Sequence, residues 1–440
     1  MNTRGCNLRA GRGFTLVELM VSLVAGLIVT IAVVGLARTA TTSFYEEARL
    51  STTESAVRTA AERLRQDLTR VSFMSTGNIQ LAGGDTVPFG HKAAQLPGAA
   101  TPSRYGVATA NLQGIRIVVG GSFATAQGPN LLSAKNLLNP DSILLTGNYT
   151  TDDSYRGILQ VNNDSVILNT TNNPAVSRLL SAGSNPNTSV RNAFTPGSLA
   201  GAPPPFLARV VDVTGCQHYV VLSTAVGAAG TATISFAAAA DGNPPIPTSG
   251  TAAGSAGNCG GTPGDEVTIN PVQTVRWWIG PTTAPLAPDV AVGQTGNKFD
   301  HYREVLDATG ASVPSPGGPQ VVAEYAIDLK FGVSVDSPAA LPPPTNQLSF
   351  DMDTDGVAIA NWTQAAAGTT TGTPAPQRVR SVRFRVATRS SLPDRDAPLS
   401  LVPGYISRYC VEAAVPCKNL ARARTIMSEV QLINQAGMTY

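Results

Sequence analysis

The stretch Gly13-Phe14-Thr15-Leu16-Val17-Glu18-Leu19 and the apolar run that follows it to Ala37 decide how this chain is organised. Between Phe14 and Ala37 the only charged residue is Glu18. An α-helix rises about 1.5 Å per residue, so this run would reach roughly 36 Å, enough to cross the hydrocarbon core of a bilayer. The pattern predicts a transmembrane helix over residues 14–37 with one acid near its start.

The segment before this helix is short and basic. Residues 1–13 contain Arg4, Arg9 and Arg12 and no acidic residue, which predicts a cytoplasmic N-terminus and an exported remainder. A secretory signal is cut after its apolar run, beside small residues. Here the small residue, Gly13, comes before the run. Cleavage at this point would remove only a leader, residues 1–13, and leave the apolar helix on the mature protein.

This junction resembles the leader junction of type IV pilins and type II secretion pseudopilins. The resemblance implies cleavage after Gly13 by a prepilin peptidase, N-methylation of Phe14, and a role for Glu18 in filament assembly. In filaments of this family the acid faces the N-terminal amine of a neighbouring subunit, which would offset part of the cost of its burial. The alternative is a plain signal anchor, which is disfavoured because an uncompensated carboxylate in lipid is costly.

Composition indicates a loop-rich β protein in an exported compartment. The 440 residues include 42 Gly and 32 Pro, only 14% are charged, and the net charge is +2, so there is no global electrostatic argument for nucleic-acid binding. Cys6 lies in the leader, which leaves Cys216, Cys259, Cys410 and Cys417 with three pairings open. We favour Cys216 with Cys259 and Cys410 with Cys417, because each pair is near in sequence. Reduced thiols are the alternative, and they are uncommon outside the cytoplasm.

The helix is predicted to continue as an amphipathic segment, giving one helix over residues 14–73. Its apolar positions fall at helical spacing: Val57, Ala61, Leu64, Leu68 and Val71. Two i,i+4 pairs, Glu54 with Arg58 and Arg63 with Asp67, are predicted on exposed faces.

The remainder, residues 74–440, is predicted to be a β-rich head, so the fold class is α+β with a long N-terminal helix packed on a large antiparallel head. Strand-like runs occupy residues 114–119, 142–145, 157–161, 165–168, 207–213, 217–222, 231–236, 273–279, 378–389 and 424–434. Residues 321–335 fit either a strand or a short helix leading into one. The segments 181–205 and 237–265 are predicted to be long loops. Adjacent Trp277 and Trp278 would point to opposite faces of their strand.

Several head segments together resemble the PilW family of minor type IV pilins, which is related to the J-type minor pseudopilins. They are Asp141-Ser142-Ile143-Leu144, 275–279 with Tyr302-Arg303, Leu329-Lys330-Phe331-Gly332, 379–389 and 424–434. The resemblance implies a minor pilin of the inner membrane with a periplasmic head, which initiates a type IV pilus near its tip and reaches the cell surface after assembly. Its partners would be prepilin peptidase, other minor pilins, the major pilin and a tip adhesin. The alternatives are a type II secretion pseudopilin and a membrane-tethered exported binding or enzymatic domain.

One motif has the character of a cation site, Asp351-Met352-Asp353-Thr354-Asp355-Gly356. It resembles the start of a calcium loop, but the twelfth position is Trp362, so a complete EF-hand is excluded. A partial calcium site would use Asp351, Asp353 and Asp355, with the Val357 carbonyl and Asn361. The favoured interpretation is an Asp/Gly turn whose side chains cap the backbone.

No catalytic motif is present, and we predict that the protein is not an enzyme. The three histidines, His91, His218 and His301, share no spacing with a metal ligand or a nucleophile. The segment 378–424 is locally basic and could contact an acidic partner subunit or DNA. A solvated strand face is favoured, and nucleic acid is not an expected partner, because no aromatic residues are interleaved for stacking.

Overall fold

The computed structural model describes residues 15–77, 112–121, 138–171, 173–196, 206–213, 215, 217–238, 244–246, 248, 260–281, 298–313, 318–336, 347–364, 376–392, 406–411 and 420–436. The chain divides into two compact units, residues 1–52 and residues 53–440. The helices are α1 (Leu16–Thr69), α2 (Pro174–Ser181), α3 (Pro186–Phe194), α4 (Gly356–Gln364) and α5 (Ile433–Ala436).

The strands are β1 (Ile115–Val118), β2 (Ser142–Gly147), β3 (Tyr155–Leu159), β4 (Ser165–Asn169), β5 (Leu207–Val211), β6 (Gln217–Ala228), β7 (Thr231–Phe236), β8 (Glu266–Pro281), β9 (Phe299–Leu306), β10 (Gln320–Ala323), β11 (Ala326–Asp336), β12 (Gln347–Phe350), β13 (Val379–Arg389), β14 (Arg408–Cys410) and β15 (Leu420–Gln431). All of the described strand pairs in the two sheets are antiparallel. The predicted α+β fold class is therefore confirmed.

In the first unit, α1 presents apolar side chains to its surroundings. Every large apolar side chain from Leu16 to Leu36 is exposed, and the helix is long and apolar enough to cross a membrane. Its few hydroxyl groups are satisfied within the helix: Ser22 Oγ donates to the Leu19 carbonyl at 2.9 Å and Thr30 Oγ1 to the Gly26 carbonyl at 2.8 Å. Internal pairing of this kind lowers the cost of placing a hydroxyl in lipid.

In the second unit, the long strand β8 organises the larger sheet. Its first half pairs with β3 and β5, and its second half pairs with β2 and β9. The first half belongs to a closed ring in the order β8-β3-β4-β7-β6-β5, because β5 returns to pair with β8. The second half belongs to an open layer in the order β1-β2-β8-β9-β10. One strand thus joins two subdomains of the head.

The ring has its own core, which α2 and α3 help to cover. Val176 and Leu179 of α2, and Val190 and Phe194 of α3, pack in a cluster with apolar side chains of the ring strands. The prediction of a loop over 181–205 is wrong for residues 186–194, which form α3. The missed signal is Asn185 at the N-cap with Pro186 at the first helical position, a strong helix start.

The smaller sheet has the order β12-β11-β13-β15-β14. On β13, Val382, Phe384 and Val386 are buried on one face, as the alternation predicts. Phe384 lies opposite Phe331 of β11 in the register. Residues 321–335, left open between helix and strand, form β10, a turn and β11.

The end of α1 packs between these layers in the largest core. Val57, Ala60, Leu64 and Leu68 follow one another at intervals of three or four residues and are almost completely buried. They share the core with side chains of the open layer, of the smaller sheet and of α4. Trp277 lies in this core and Trp278 is half-buried on the opposite face of β8, as predicted.

Candidate functional site

The start of α1 is fixed by a reciprocal pair between Thr15 and Glu18. The Thr15 amide and Thr15 Oγ1 each donate to Glu18 Oε2 at 3.0 Å, and the Glu18 amide donates to Thr15 Oγ1 at 3.3 Å. This arrangement is a capping box, which satisfies amides that the first turn of a helix leaves without partners. Gly13 and Phe14, the predicted cleavage and methylation residues, lie outside the described residues.

The Glu18 carboxylate is thus presented at the end of an exposed apolar helix. Its described partners are groups of Thr15, and none of them carries a charge. In a lipid environment a carboxylate with only neutral partners remains costly, and a cation placed beside it would lower that cost. The arrangement is suited to receiving a positively charged group at this end of the helix.

Asp67, near the other end of α1, is buried against the head. Its Oδ2 accepts from Trp277 Nε1 at 2.8 Å and from Arg303 Nε at 2.7 Å, and its Oδ1 accepts from Arg303 Nη2 at 3.2 Å. The prediction of an exposed Arg63–Asp67 pair is therefore wrong, whereas the exposed Glu54–Arg58 pair is confirmed. The sequence does indicate that Asp67 is buried. It follows Ala60 by seven residues, about two helical turns, and therefore lies on the same buried face of α1.

The acidic motif 351–356 forms a turn that leads directly into α4. The Asp351 amide donates to Asp355 Oδ2 at 2.7 Å, and the Asp353 amide donates to Asp351 Oδ1 at 2.8 Å. Both oxygens of Asp353 accept from Arg385, each at 2.8 Å. These contacts are those of a capped turn that the Asp353–Arg385 pair attaches to β13. Within the described ranges, no group of three His, Cys, Asp or Glu side chains is placed to hold a metal ion. The calcium site stays a prediction.

Asp353→Asn should lower the free energy of unfolding by about 1 kcal/mol, because a partly exposed bidentate contact with Arg385 is lost. Urea unfolding of the detergent-solubilised chain measures this difference, with and without millimolar calcium. If the turn acts only as a cap, calcium leaves both proteins unchanged. Calcium-dependent stabilisation of the parent that Asp353→Asn removes would instead establish the ion site.

The described histidines are held inside the head, and His91 lies outside the described residues. His218 Nε2 lies 3.0 Å from Asp212 Oδ2, and His301 Nε2 lies 3.3 Å from the Ala387 carbonyl. Burial lowers the pKa of His301 to about 4, so this ring is neutral at neutral pH.

Four arginines of the basic segment are engaged within the head. Arg380 pairs with Asp336, Arg385 with Asp328 and Asp353, and Arg383 donates to Ser349 and to the Phe350 carbonyl. Arg389 lies over the rings of Tyr325 and Tyr409, at 5.0 and 5.8 Å from their centroids. These contacts favour a strand face stabilised from within over a nucleic-acid surface.

Cys410 is disulfide-bonded. The other predicted partners, Cys216, Cys259 and Cys417, lie outside the described residues, so both pairings remain predictions.

Residues 8–34 match the prokaryotic N-terminal methylation motif. No match was found among curated proteins or among solved structures. The matched segment contains the predicted cleavage junction and most of the apolar run that follows it to Ala37.

Proposed function

We propose that this chain, whose methylation motif supports a type IV pilin or pseudopilin, is a minor pilin that initiates and assembles a type IV pilus near its tip. In this proposal prepilin peptidase cuts after Gly13 and Phe14 becomes the N-methylated terminus. The helix anchors the protein in the inner membrane with the head in the periplasm, and the protein reaches the cell surface after assembly. Other minor pilins, the major pilin and a tip adhesin are its partners, and its role is structural. The resemblance to the PilW family supplies the finer assignment.

The observation that carries the proposal is the methylation motif joined to an exposed apolar helix with a single carboxylate. So large an apolar surface needs a cover of lipid or of neighbouring helices. Cleavage after Gly13 would create a positively charged amine at Phe14, the kind of group that Glu18 is suited to receive. Pairing between the amine of one subunit and Glu18 of another would set the register of helices in a filament.

The processing step provides the first test. Intact mass and N-terminal sequencing of membrane-extracted protein should show a chain that starts at N-methylated Phe14. Gly13→Leu should abolish this cleavage. Gly11→Leu is the matched control, because it changes a leader glycine two residues away and should leave processing intact. A parent chain that keeps Met1, or is cut after Ala37, would contradict the proposal.

A type II secretion pseudopilin is the second candidate, because the same motif supports it equally. Deleting the gene that encodes this chain distinguishes a role in the type IV pilus from a role in type II secretion. Loss of surface filaments with normal protein secretion is expected for the minor pilin. Loss of secretion with normal filaments would assign the chain to the secretion system.

A further inference from the structure

A pocket of about 700 Å³ lies at the turn between β3 and β4, where four segments of the chain meet. Its walls are mostly apolar and are formed by Val161, Phe236, Ala238, Pro244, Pro245 and Pro263. Its polar lining consists of Thr248 and the turn residues Asn162, Asn163 and Asp164. A volume between about 300 and 1,000 Å³, apolar walls and a small number of polar groups are typical of ligand-binding pockets in proteins.

The pocket is held in shape by the side chain of Asn163, which is 1% exposed. Its Nδ2 donates to the Ile246 carbonyl at 3.2 Å and to the Gly261 carbonyl at 2.8 Å, so one amide group joins the turn to the two segments that carry the lining prolines. Asn162 and Asn163 have φ values of +75° and +54°, in the left-handed region that Asn adopts more readily than most residues. Walls fixed in this way lose little conformational freedom when a ligand binds.

Asp164 gives the pocket a carboxylate that no cation among the described residues neutralises. Asp164 is exposed, and its Oδ1 accepts from Ser165 Oγ at 2.9 Å, which is a neutral partner. Arg156 of β3 pairs with Glu266 at 3.7 Å instead. The segments that contain the lining residues include no Lys or Arg; they are 160–165, 236–248 and 260–266. A ligand that complements this pocket therefore has an apolar body and a positive charge.

We propose that this pocket binds an extended segment of a partner protein that presents a Lys or Arg side chain beside apolar side chains. The apolar neighbours pack on the lining prolines and on Val161, whose side chain is exposed. The alkyl stem of Lys or Arg can lie along such a surface while its charged group stays near water, here beside Asp164. The volume exceeds what one alkylammonium group fills, which favours a peptide segment over a small free amine.

Methyl NMR of the detergent-solubilised full chain tests this binding, with the Val161 methyl groups as reporters. The probe is the tripeptide acetyl-Leu-Lys-Leu-amide, and acetyl-Leu-Gln-Leu-amide is its neutral counterpart. The Lys peptide should shift the Val161 signals saturably and bind at least threefold more tightly than the Gln peptide. Asp164→Asn should remove this preference, because the charge that selects Lys over Gln is lost. Asp152→Asn is the matched control, since this carboxylate is exposed but does not line the pocket, and it should leave both affinities unchanged.

Ala238→Trp is a second variant, which keeps Asp164 and fills the pocket from an exposed lining position. It should weaken the binding of both peptides at least tenfold, while unchanged Val386 signals from the β13 core show that the head remains folded. The proposal would be overturned by an absence of saturable Val161 shifts, by equal affinity of the parent for the two peptides, or by unchanged binding in Ala238→Trp. Binding of n-butylammonium as tightly as the Lys peptide would also overturn it, in favour of a small-amine site. The inference concerns the head alone, so a failed processing test would leave it standing.

Discussion

Asp67→Asn is expected to lower the free energy of unfolding of the head by about 3–5 kcal/mol, the usual cost of removing one partner of a buried ion pair. Asp67 is 4% exposed and Arg303 is 8% exposed. The substitution leaves the Arg303 guanidinium buried without its anion and weakens the acceptor of Trp277 Nε1. Chemical unfolding of the detergent-solubilised chain, followed by tryptophan fluorescence, measures the loss.

Glu62→Gln is the matched control, because it makes the same acid-to-amide change on an exposed position of α1. It should change the stability by less than about 0.5 kcal/mol, as is usual for surface substitutions. The double substitution Asp67→Leu with Arg303→Met should recover at least half of the loss, because it removes both charges together. A loss below 1 kcal/mol in Asp67→Asn would show that the pair does not hold the helix on the head.

The elements that could be predicted from the sequence are those specified by neighbours along the chain. The Phe14 to Ala37 run needs only its own composition, and the β13 alternation of Val382, Phe384 and Val386 needs only a period of two. Both are present in the structure apart from Phe14, which lies outside the described residues. The capping box was available in the same way, because Thr15 and Glu18 have the required spacing.

Pairing between distant residues could not be predicted in this way. Asp67 and Arg303 are 236 residues apart, so helical i,i+4 spacing pairs Asp67 only with a basic residue one turn away, Arg63. The dual role of β8 was hidden for a related reason. The sequence of β8 predicts a strand. The ring of strands closes only because β5, which is distant in sequence, pairs with β8.

The acidic motif shows how one pattern can support two structures until its partner is known. Alternating carboxylates fit either cation ligands or a capped turn. Arg385 decides how Asp353 is used, and it comes from a strand 32 residues away. The sequence contains both residues but not their proximity.

Asp328, on the other side of Arg385, should make the head more stable as the pH falls from 7 to 5. Its side chain is completely buried on β11, and Oδ2 accepts from Arg385 Nε at 2.6 Å. Its Oδ1 has no hydrogen-bond partner among the described residues. Burial raises the pKa of Asp328 from 3.8 to about 6, opposed by the positive charges of Arg385 and Lys330 and assisted by Asp141.

The sign follows from which state binds the proton more tightly. Between pH 3.8 and about 6 the folded chain takes up a proton at Asp328 that the unfolded chain does not, so stability falls as the pH rises through this window. The full difference corresponds to about 3 kcal/mol, of which about 1 kcal/mol appears between pH 7 and 5. Burial also raises the pKa of Asp141, which adds a change of the same sign.

The parent and Asp328→Asn should therefore differ in the slope of unfolding free energy against pH. Relative to the variant, the parent should gain about 1 kcal/mol between pH 7 and 5, because Asn cannot take up the proton. Asp152→Asn, which changes an exposed carboxylate, is the control, and its curve of unfolding free energy against pH should have the same slope as that of the parent. Parallel curves for the parent and Asp328→Asn would mean that the charges of Arg385 and Lys330 fully compensate the burial of Asp328. In the expected case, Arg385 and Lys330 offset only part of the free-energy cost of burying the ionised Asp328 carboxylate. Protonation of Asp328 then removes the remaining cost, which the folded head carries at neutral pH.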